Sequence, residues 1–190
     1  MIVESIVLSI LVGWIRKGKL KHLGLIEIKG IYLFFVGGIF QVLLFTMANQ
    51  EGSGIGRLFY DHFYILHLFT YIIIMVPIFL NLKWRGLNLM GLGSILNFIP
   101  IAANQGKMPV ALPAPYAPNF DLGHVLLESG TRFKMLSDVI FIGPPYPMPK
   151  IMSIGDFLIM SGVFWLIQSA MMLEKTNHSK SNKITGNESI

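Results

Sequence analysis

The run Phe63-Tyr-Ile-Leu-His-Leu-Phe-Thr-Tyr-Ile-Ile-Ile-Met-Val-Pro-Ile-Phe-Leu80 decides the fold, because it holds no Asp, Glu, Lys or Arg. A helix that crosses a bilayer needs roughly 20 mostly apolar residues, with a working range of about 17–25. Comparable runs lie at 31–47, 87–103 and 154–173, and a shorter one at 1–14. The pattern predicts an all-α integral membrane protein with about five transmembrane helices. The composition agrees, with 53% hydrophobic and only 13% charged residues, against about 25% charged in an average soluble domain. Such a chain is not intrinsically disordered, which would require low hydrophobicity and high charge. The absence of cysteine excludes a disulfide scaffold and any thiolate chemistry.

Charge places the ends. In the first run Glu4 comes early, and the basic cluster Arg16, Lys17, Lys19 and Lys21 follows the apolar stretch. A signal peptide has its positive charge first and a small-residue cleavage site after, so this run reads as a retained anchor, too short to span unless the bilayer thins or flanking residues such as Ile15 are borrowed. Segments 15–30, 81–86 and the tail from Glu174 carry Arg16, Lys17, Lys19, Lys21, Lys29, Lys83, Arg85, Lys175, Lys180 and Lys183 against Glu27, Glu174 and Glu188. That side has a net charge of +7 and the other −2, within the total of +5. Basic short loops stay in the cytoplasm. The expected topology is a multi-pass protein of the cell membrane with its N-terminus outside and its C-terminus inside. Residues 1–173 form a single membrane domain, and 174–190 a polar cytoplasmic tail with a disordered composition. The basic cluster suits anionic lipid headgroups. Nucleic acid is not an expected partner, because the basic residues lack interleaved aromatics on a folded surface.

The outer loop, 104–153, holds eight of the ten prolines, namely Pro109, Pro113, Pro115, Pro118, Pro144, Pro145, Pro147 and Pro149. They predict two stiff extended pieces. Between them, Thr131–Val139 has the pattern of a short amphipathic helix, with Phe133, Leu136 and Ile140 on one face and Arg132 and Lys134 off it. Leu122–Leu127 is apolar apart from His124 and suits a re-entrant segment. Loops of this length are uncommon unless functional, so the segment is expected to cover the outer ends of the spans.

Several polar residues lie in or beside the spans. Asn97, Pro100 and Asn104 share one helix face, where Pro100 frees a carbonyl beside two carboxamides. The two readings are hydrogen-bonded adhesion between helices and contact with a ligand. Tyr60, Tyr64, His67 and Tyr71 also share a face. The first two suit a headgroup-level aromatic belt, whereas His67 and Tyr71 lie deeper, where an ionisable group marks a functional candidate or a hydrogen bond between helices. Ser153-Ile-Gly-Asp156 reads as a capping box. Gly155, Gly162 and Ser169 recur every seven residues, as do Gly30 and Gly37, in the manner of close-packing seams. No metal site is expected, since His62 and His67 are five apart and only tertiary folding could bring His62, His124 and Asp121 together. No cofactor motif and no recognised catalytic motif occurs.

Three stretches resemble an uncharacterised bacterial multi-pass membrane family, the domain-of-unknown-function family 5317. They are Leu92-Gly-Ser-Ile-Leu-Asn97 running into Asn104-Gln-Gly-Lys-Met-Pro-Val110, Thr131-Arg-Phe-Lys-Met-Leu-Ser-Asp138, and Ser153-Ile-Gly-Asp156. The family pattern is similar to N-G-G-x-M-P, and Gln105 departs from it at the first glycine. The resemblance implies a bacterial cell membrane and a multi-helix fold, but no activity.

Three functions follow from these features. The first is binding of a small molecule, lipid or membrane-protein partner in an outward-facing polar pocket under the 104–153 loop. The second is a membrane-embedded enzyme acting on a lipid-like substrate, with Asp138, Asp156 or His124 as acid–base groups. The third is a structural or assembly subunit of a membrane complex. Binding leads, because no catalytic signature is present, and a lone transporter is disfavoured without an internal repeat. The expected pocket groups Asn97, Asn104, Lys107, Asp138 and Asp156, with Arg132 at its rim and His67, Tyr71 and His124 as further candidates. Reporter fusions at Lys180 and near Pro118 should give cytoplasmic and external signals respectively; both signals on one side would overturn the topology.

Overall fold

The computed structural model describes residues 2–50, 52–112, 121–146 and 149–173. Six α-helices dominate, α1 (Ile2–Ile15), α2 (Tyr32–Ala48), α3 (Gly54–Asp61), α4 (Phe63–Phe79), α5 (Arg85–Ala103) and α6 (Ile154–Met171). Two of them, α5 and α6, are long and apolar enough to cross a membrane, and a third crossing is available if α3 and α4, bent by 71° at His62, form one span. At 1.5 Å per residue, the 19 residues of α5 reach roughly 28 Å. Helices α1 and α2 are apolar but shorter. Helix contacts run in the order α1–α6–α5–α4–α2, with α5 against α6 as the most extensive pairing.

Polarity is inverted relative to a water-soluble domain. Ser5, Ser9, His67, Thr70, Asn81, Ser94, Asn97 and Gln168 are buried, whereas Phe35, Val36, Ile39 and Val42 of α2 and Val3, Val7 and Leu8 of α1 are exposed. Exposed apolar area of this extent marks an interaction surface or lipid. Inside, polar side chains bond helix to helix. Ser5 Oγ donates to Met160 O (2.6 Å), and Ser9 Oγ donates to Phe164 O (3.0 Å). Asn81 ties the entry of α2 to the exit of α4. It accepts from Lys29 N at 2.9 Å and donates to Lys29 O at 2.8 Å and Pro77 O at 2.7 Å.

Backbone contact is closest between α5 and α6. A Cβ on Gly86 would stand 2.5 Å from Gly162 O, and one on Gly93 would stand 2.5 Å from Gly155 O. The seven-residue spacing of each pair is what aligns them along two facing helices.

The loop corrects the all-α expectation. It contains four short strands, β1 (Met108–Val110), β2 (His124–Leu126), β3 (Ile140–Ile142) and β4 (Lys150–Met152). Strands β1 and β2 pair in parallel, and β3 and β4 pair antiparallel. Leu122–Leu127, read as a re-entrant candidate, instead supplies β2. The amphipathic helix expected over Thr131–Val139 is also corrected, to a 3-10 turn at Lys134–Leu136. Phe133 takes a left-handed conformation (φ 55°) that no α-helix continues through. The backbone of Asp138 is bonded to β1 instead, with Asp138 N donating to Pro109 O (3.0 Å) and Ala111 N donating to Asp138 O (2.8 Å). A nine-residue helix is marginal alone, so the strand pairing prevails. Pro113, Pro115, Pro118 and Pro147, and the tail 174–190, lie outside the described residues.

Gly86→Ala should lower the thermal midpoint of the detergent-solubilised chain, by about 1–3 kcal/mol in stability. Gly38→Ala, where a Cβ meets nothing within 4 Å, should leave it unchanged or slightly raised. Equal midpoints for the two variants would remove the glycine seam.

Candidate functional site

Asn97 stands at the centre of the site. It lies on the buried face of α5, one turn below Ile101, and is 4% exposed. Its Nδ2 donates to Asp156 Oδ1 (2.8 Å), and its Oδ1 accepts from Ser153 Oγ (2.7 Å). Ser153 caps α6, receiving the Asp156 N–H on its hydroxyl, while Asp156 Oδ2 accepts from Ser153 N at 3.1 Å. The capping box expected from the sequence is present. Each Asp156 oxygen thus has a donor, and the helix N-terminus adds favourable charge.

Asp138 is built differently. Its backbone is held on β1, and its side chain is turned inward, 8% exposed. Its Oδ1 is buried and has no hydrogen-bond partner. Burial pushes this carboxyl up to about 7; Asp156 adds to the rise and His124 opposes it.

The space beside these groups is a cavity of about 520 Å³. It lies between α2, α4, α5, the start of α6 and the loop, and its polar walls include Gln41, His67, Asn97, His124, Asp138 and Asp156. Gln41 Oε1, from α2, is also buried and unpartnered. Among the described residues three buried side-chain polar atoms lack a partner, the third being Trp84 Nε1, and two of the three belong to residues lining this cavity.

Two histidines have assigned roles. His67 Nδ1 lies 2.7 Å from Gly106 O; a carbonyl only accepts, so Nδ1 carries the proton and the neutral ring keeps its lone pair on Nε2. Phe45, Phe63 and Tyr71 pack around that ring at 5.4, 5.2 and 5.6 Å. His124 Nδ1 lies 2.6 Å from Asp121 Oδ1, which also accepts from Gly123 N. The turn that presents the Gly106 carbonyl requires two left-handed residues, Gln105 (φ 58°) and Gly106 (φ 78°). At Gln105 that conformation costs about 1–2 kcal/mol, at the position where the resembling family pattern has glycine.

Asn97, Asp138, Asp156, His67, Tyr71 and His124 therefore surround one cavity. The expected grouping of Asn104, Lys107 and Arg132 with them is corrected. Asn104 Nδ2 donates to Pro100 O (2.7 Å) and Arg132 O (3.0 Å), and its Oδ1 accepts from Arg132 N (3.1 Å). Asn104 and Arg132 line a separate surface depression with Tyr64, and Lys107 lines neither. The break at His62 puts Tyr60 on α3, off the α4 face. Sequence reading missed Gln41, Asp121 and Phe45 as cavity residues. A glutamine in the otherwise apolar run 31–47 was the available signal. Among the described residues no group of three or more His, Asp or Glu is gathered to hold a metal ion, and His62 bonds to Leu58 O.

A model of the family of unknown function DUF5317 matches residues 25–168, a range that includes every cavity residue. An uncharacterised protein of Thermotoga maritima is similar, with 29% identity over 162 residues that cover 84% of this chain and 83% of the relative. No solved structure matches.

Because the fold favours the neutral form of Asp138, its ionisation costs stability that grows as pH rises above the ordinary carboxyl range and is complete above about 7. Asp138→Asn should therefore raise the thermal midpoint at pH 8, by about 5 °C, with the gain vanishing near pH 4. An equal gain at both pH values, or a loss at pH 8, would contradict the buried charge.

Proposed function

The chain belongs to the family of unknown function DUF5317, and from that premise we propose that it is a multi-pass protein of the bacterial cell membrane which binds a small molecule in the Asp138 cavity. In this reading five spans form one membrane domain, the N-terminus and the loop lie outside, and the C-terminus lies in the cytoplasm. The arrangement of basic residues supports that orientation. Lys19 N donates to Met171 O, Arg16 bonds Gln168, and Lys29 bonds Asn81, so the basic turns collect at the end of the helices opposite the loop.

The observation that carries the binding reading is the pair of unpartnered acceptors, Asp138 Oδ1 and Gln41 Oε1. A buried acceptor without a donor costs about 1–3 kcal/mol, and a ligand that supplies donors recovers it. The cavity volume falls within the usual range for small-molecule sites. The Asp121–His124 hydrogen bond favours a second reading, a membrane-embedded enzyme using His124 as acid or base; it requires recovery of a chemically altered compound after incubation with the protein.

Val42 and Thr46 are exposed residues of the cavity wall, so Thr46→Trp should fill its mouth without disturbing the α5–α6 pairing. In a thermal-shift screen of small polar compounds, ligands should raise the midpoint of the unaltered chain and not that of Thr46→Trp. Compounds that stabilise both proteins equally, or no stabilising compound at all, would overturn the binding reading and favour a structural subunit.

A further inference from the structure

The lining of the cavity restricts its occupant more narrowly than the two orphan acceptors alone. Three of its residues are carboxylic acids, Asp121, Asp138 and Asp156, and none is Lys or Arg. Asp121 is bonded to Gly123 N and His124, and Asp156 to Asn97 and Ser153 N. Asp138 alone keeps a buried oxygen unpartnered among the three. Its titratable and charged surroundings in the cavity are Asp156 on α6, His124 and Asp121 at β2, and His67 and Tyr71 on α4; α2 and α5 contribute only the neutral Gln41, Thr46 and Asn97. On the β4 side Asp138 also borders a smaller depression that holds Lys150, whose ammonium is paired with Glu4. The remaining wall is apolar and aromatic, with Phe45, Tyr71, Val42, Ile101 and Met108.

Each wall component selects against a different competitor. An anion would meet three carboxylic acids and no Lys or Arg, so it is disfavoured. A bare metal ion would want several ligands converging within bonding distance, and no such group is gathered among the described residues. A neutral apolar molecule would leave Asp138 Oδ1 and Gln41 Oε1 still without donors. An ammonium group supplies up to three donors and a positive charge. Aromatic faces attract such a charge, and Phe45 and Tyr71 lie on the wall with His67 between them. The apolar residues then take the organic body.

We propose that the occupant of the cavity is a small organic ammonium ion, its N–H groups donating to Asp138 and Gln41 and its apolar body lying against Phe45, Tyr71 and Met108. This rests on the binding reading above and narrows it to one ligand class. The cation needs the ionised form of Asp138, which burial disfavours. Binding therefore strengthens as pH rises through about 7 and releases a proton from Asp138 below that value.

The test uses the full chain in nanodiscs of phosphatidylcholine, with empty nanodiscs as the blank. The probes are benzylamine, N-benzylacetamide and benzoate, which share a ring and differ in charge. Calorimetric titration should show saturable binding of benzylamine alone. Its affinity should be about tenfold higher at pH 8 than at pH 6, the ratio of ionised Asp138 at the two values. Asp138→Asn should abolish binding and its pH dependence while remaining folded, Asp138→Glu should retain a preference for the amine, and Glu128→Gln, outside the cavity, should leave binding unchanged. Binding of N-benzylacetamide or benzoate at least as tightly as the amine would overturn the ammonium class while leaving the cavity as a binding site. Benzylamine binding undiminished in Asp138→Asn would also overturn it. Failure of the binding reading itself is separately visible, as identical thermal-shift profiles for the unaltered chain and Thr46→Trp.

Discussion

The Asn97 carboxamide is the contact on which the rest of the loop end depends. It donates to Asp156 and accepts from Ser153, so one side chain of α5 fixes both residues that start α6. This is reachable only because Gly93 and Gly155 bring the two backbones together at the same level. With bulkier residues there the helices would separate, and the amide would lose both partners. In a low-dielectric surrounding such a loss is expensive, since an unpaired polar group has no water to turn to. The glycine seam and the hydrogen-bonded triad are therefore one device, close approach and its reward.

That device divides two of the three carboxylic acids of the site, Asp156 and Asp138. Asp156 is satisfied by its cap and by Asn97, which leaves it a structural residue at a helix N-terminus. Asp138 receives nothing from the triad. It is carried into the cavity by a backbone paired with β1, and it bears both burial and the neighbouring negative charge. Two acidic side chains beside one cavity thus differ, one with a donor on each oxygen and the other with a buried oxygen unpartnered and its carboxyl pushed toward the protonated form. A buried carboxyl whose proton affinity is raised, set in a cavity, is characteristic of working sites. Backbone strain is found nearby as well, at Gln105 in the turn that presents Gly106 O to His67 and at Phe133 in the approach to Asp138. Strain of this kind persists where the surroundings over-determine it.

The inverted distribution of polarity has the same logic. Between the helices, Ser5, Ser9, Asn81 and Gln168 each bond to a backbone carbonyl of another element. The outward-facing apolar side chains suit a lipid surround, in which packing and polar bonds, not apolar burial, distinguish one helix pairing from another.

The positions of α1, α2, α4, α5 and α6 were legible in the sequence, because an apolar run near 17 residues long with at most one charge has few other uses; the short α3 was not read, since it carries no such run. The capping box at Ser153–Asp156 and the glycine spacing were legible too, being local patterns whose chemistry needs no distant partner. The loop was not. The helical periodicity at 131–139 lost to pairing between Asp138 and the β1 backbone at Val110, a contact across 28 positions that no local pattern records. Nor was the composition of the cavity. Asn97 and Asn104 share a helix face, yet the first was claimed by α6 and the second by the Arg132 backbone. Gln41 reaches the cavity only because α2 packs against α4. Sequence determined which residues are polar within apolar runs; tertiary structure alone decided which of them find partners, because hydrogen-bond satisfaction is a property of pairs brought together by packing. The unsatisfied remainder on the cavity wall, Asp138 and Gln41, is where a ligand would have something to gain.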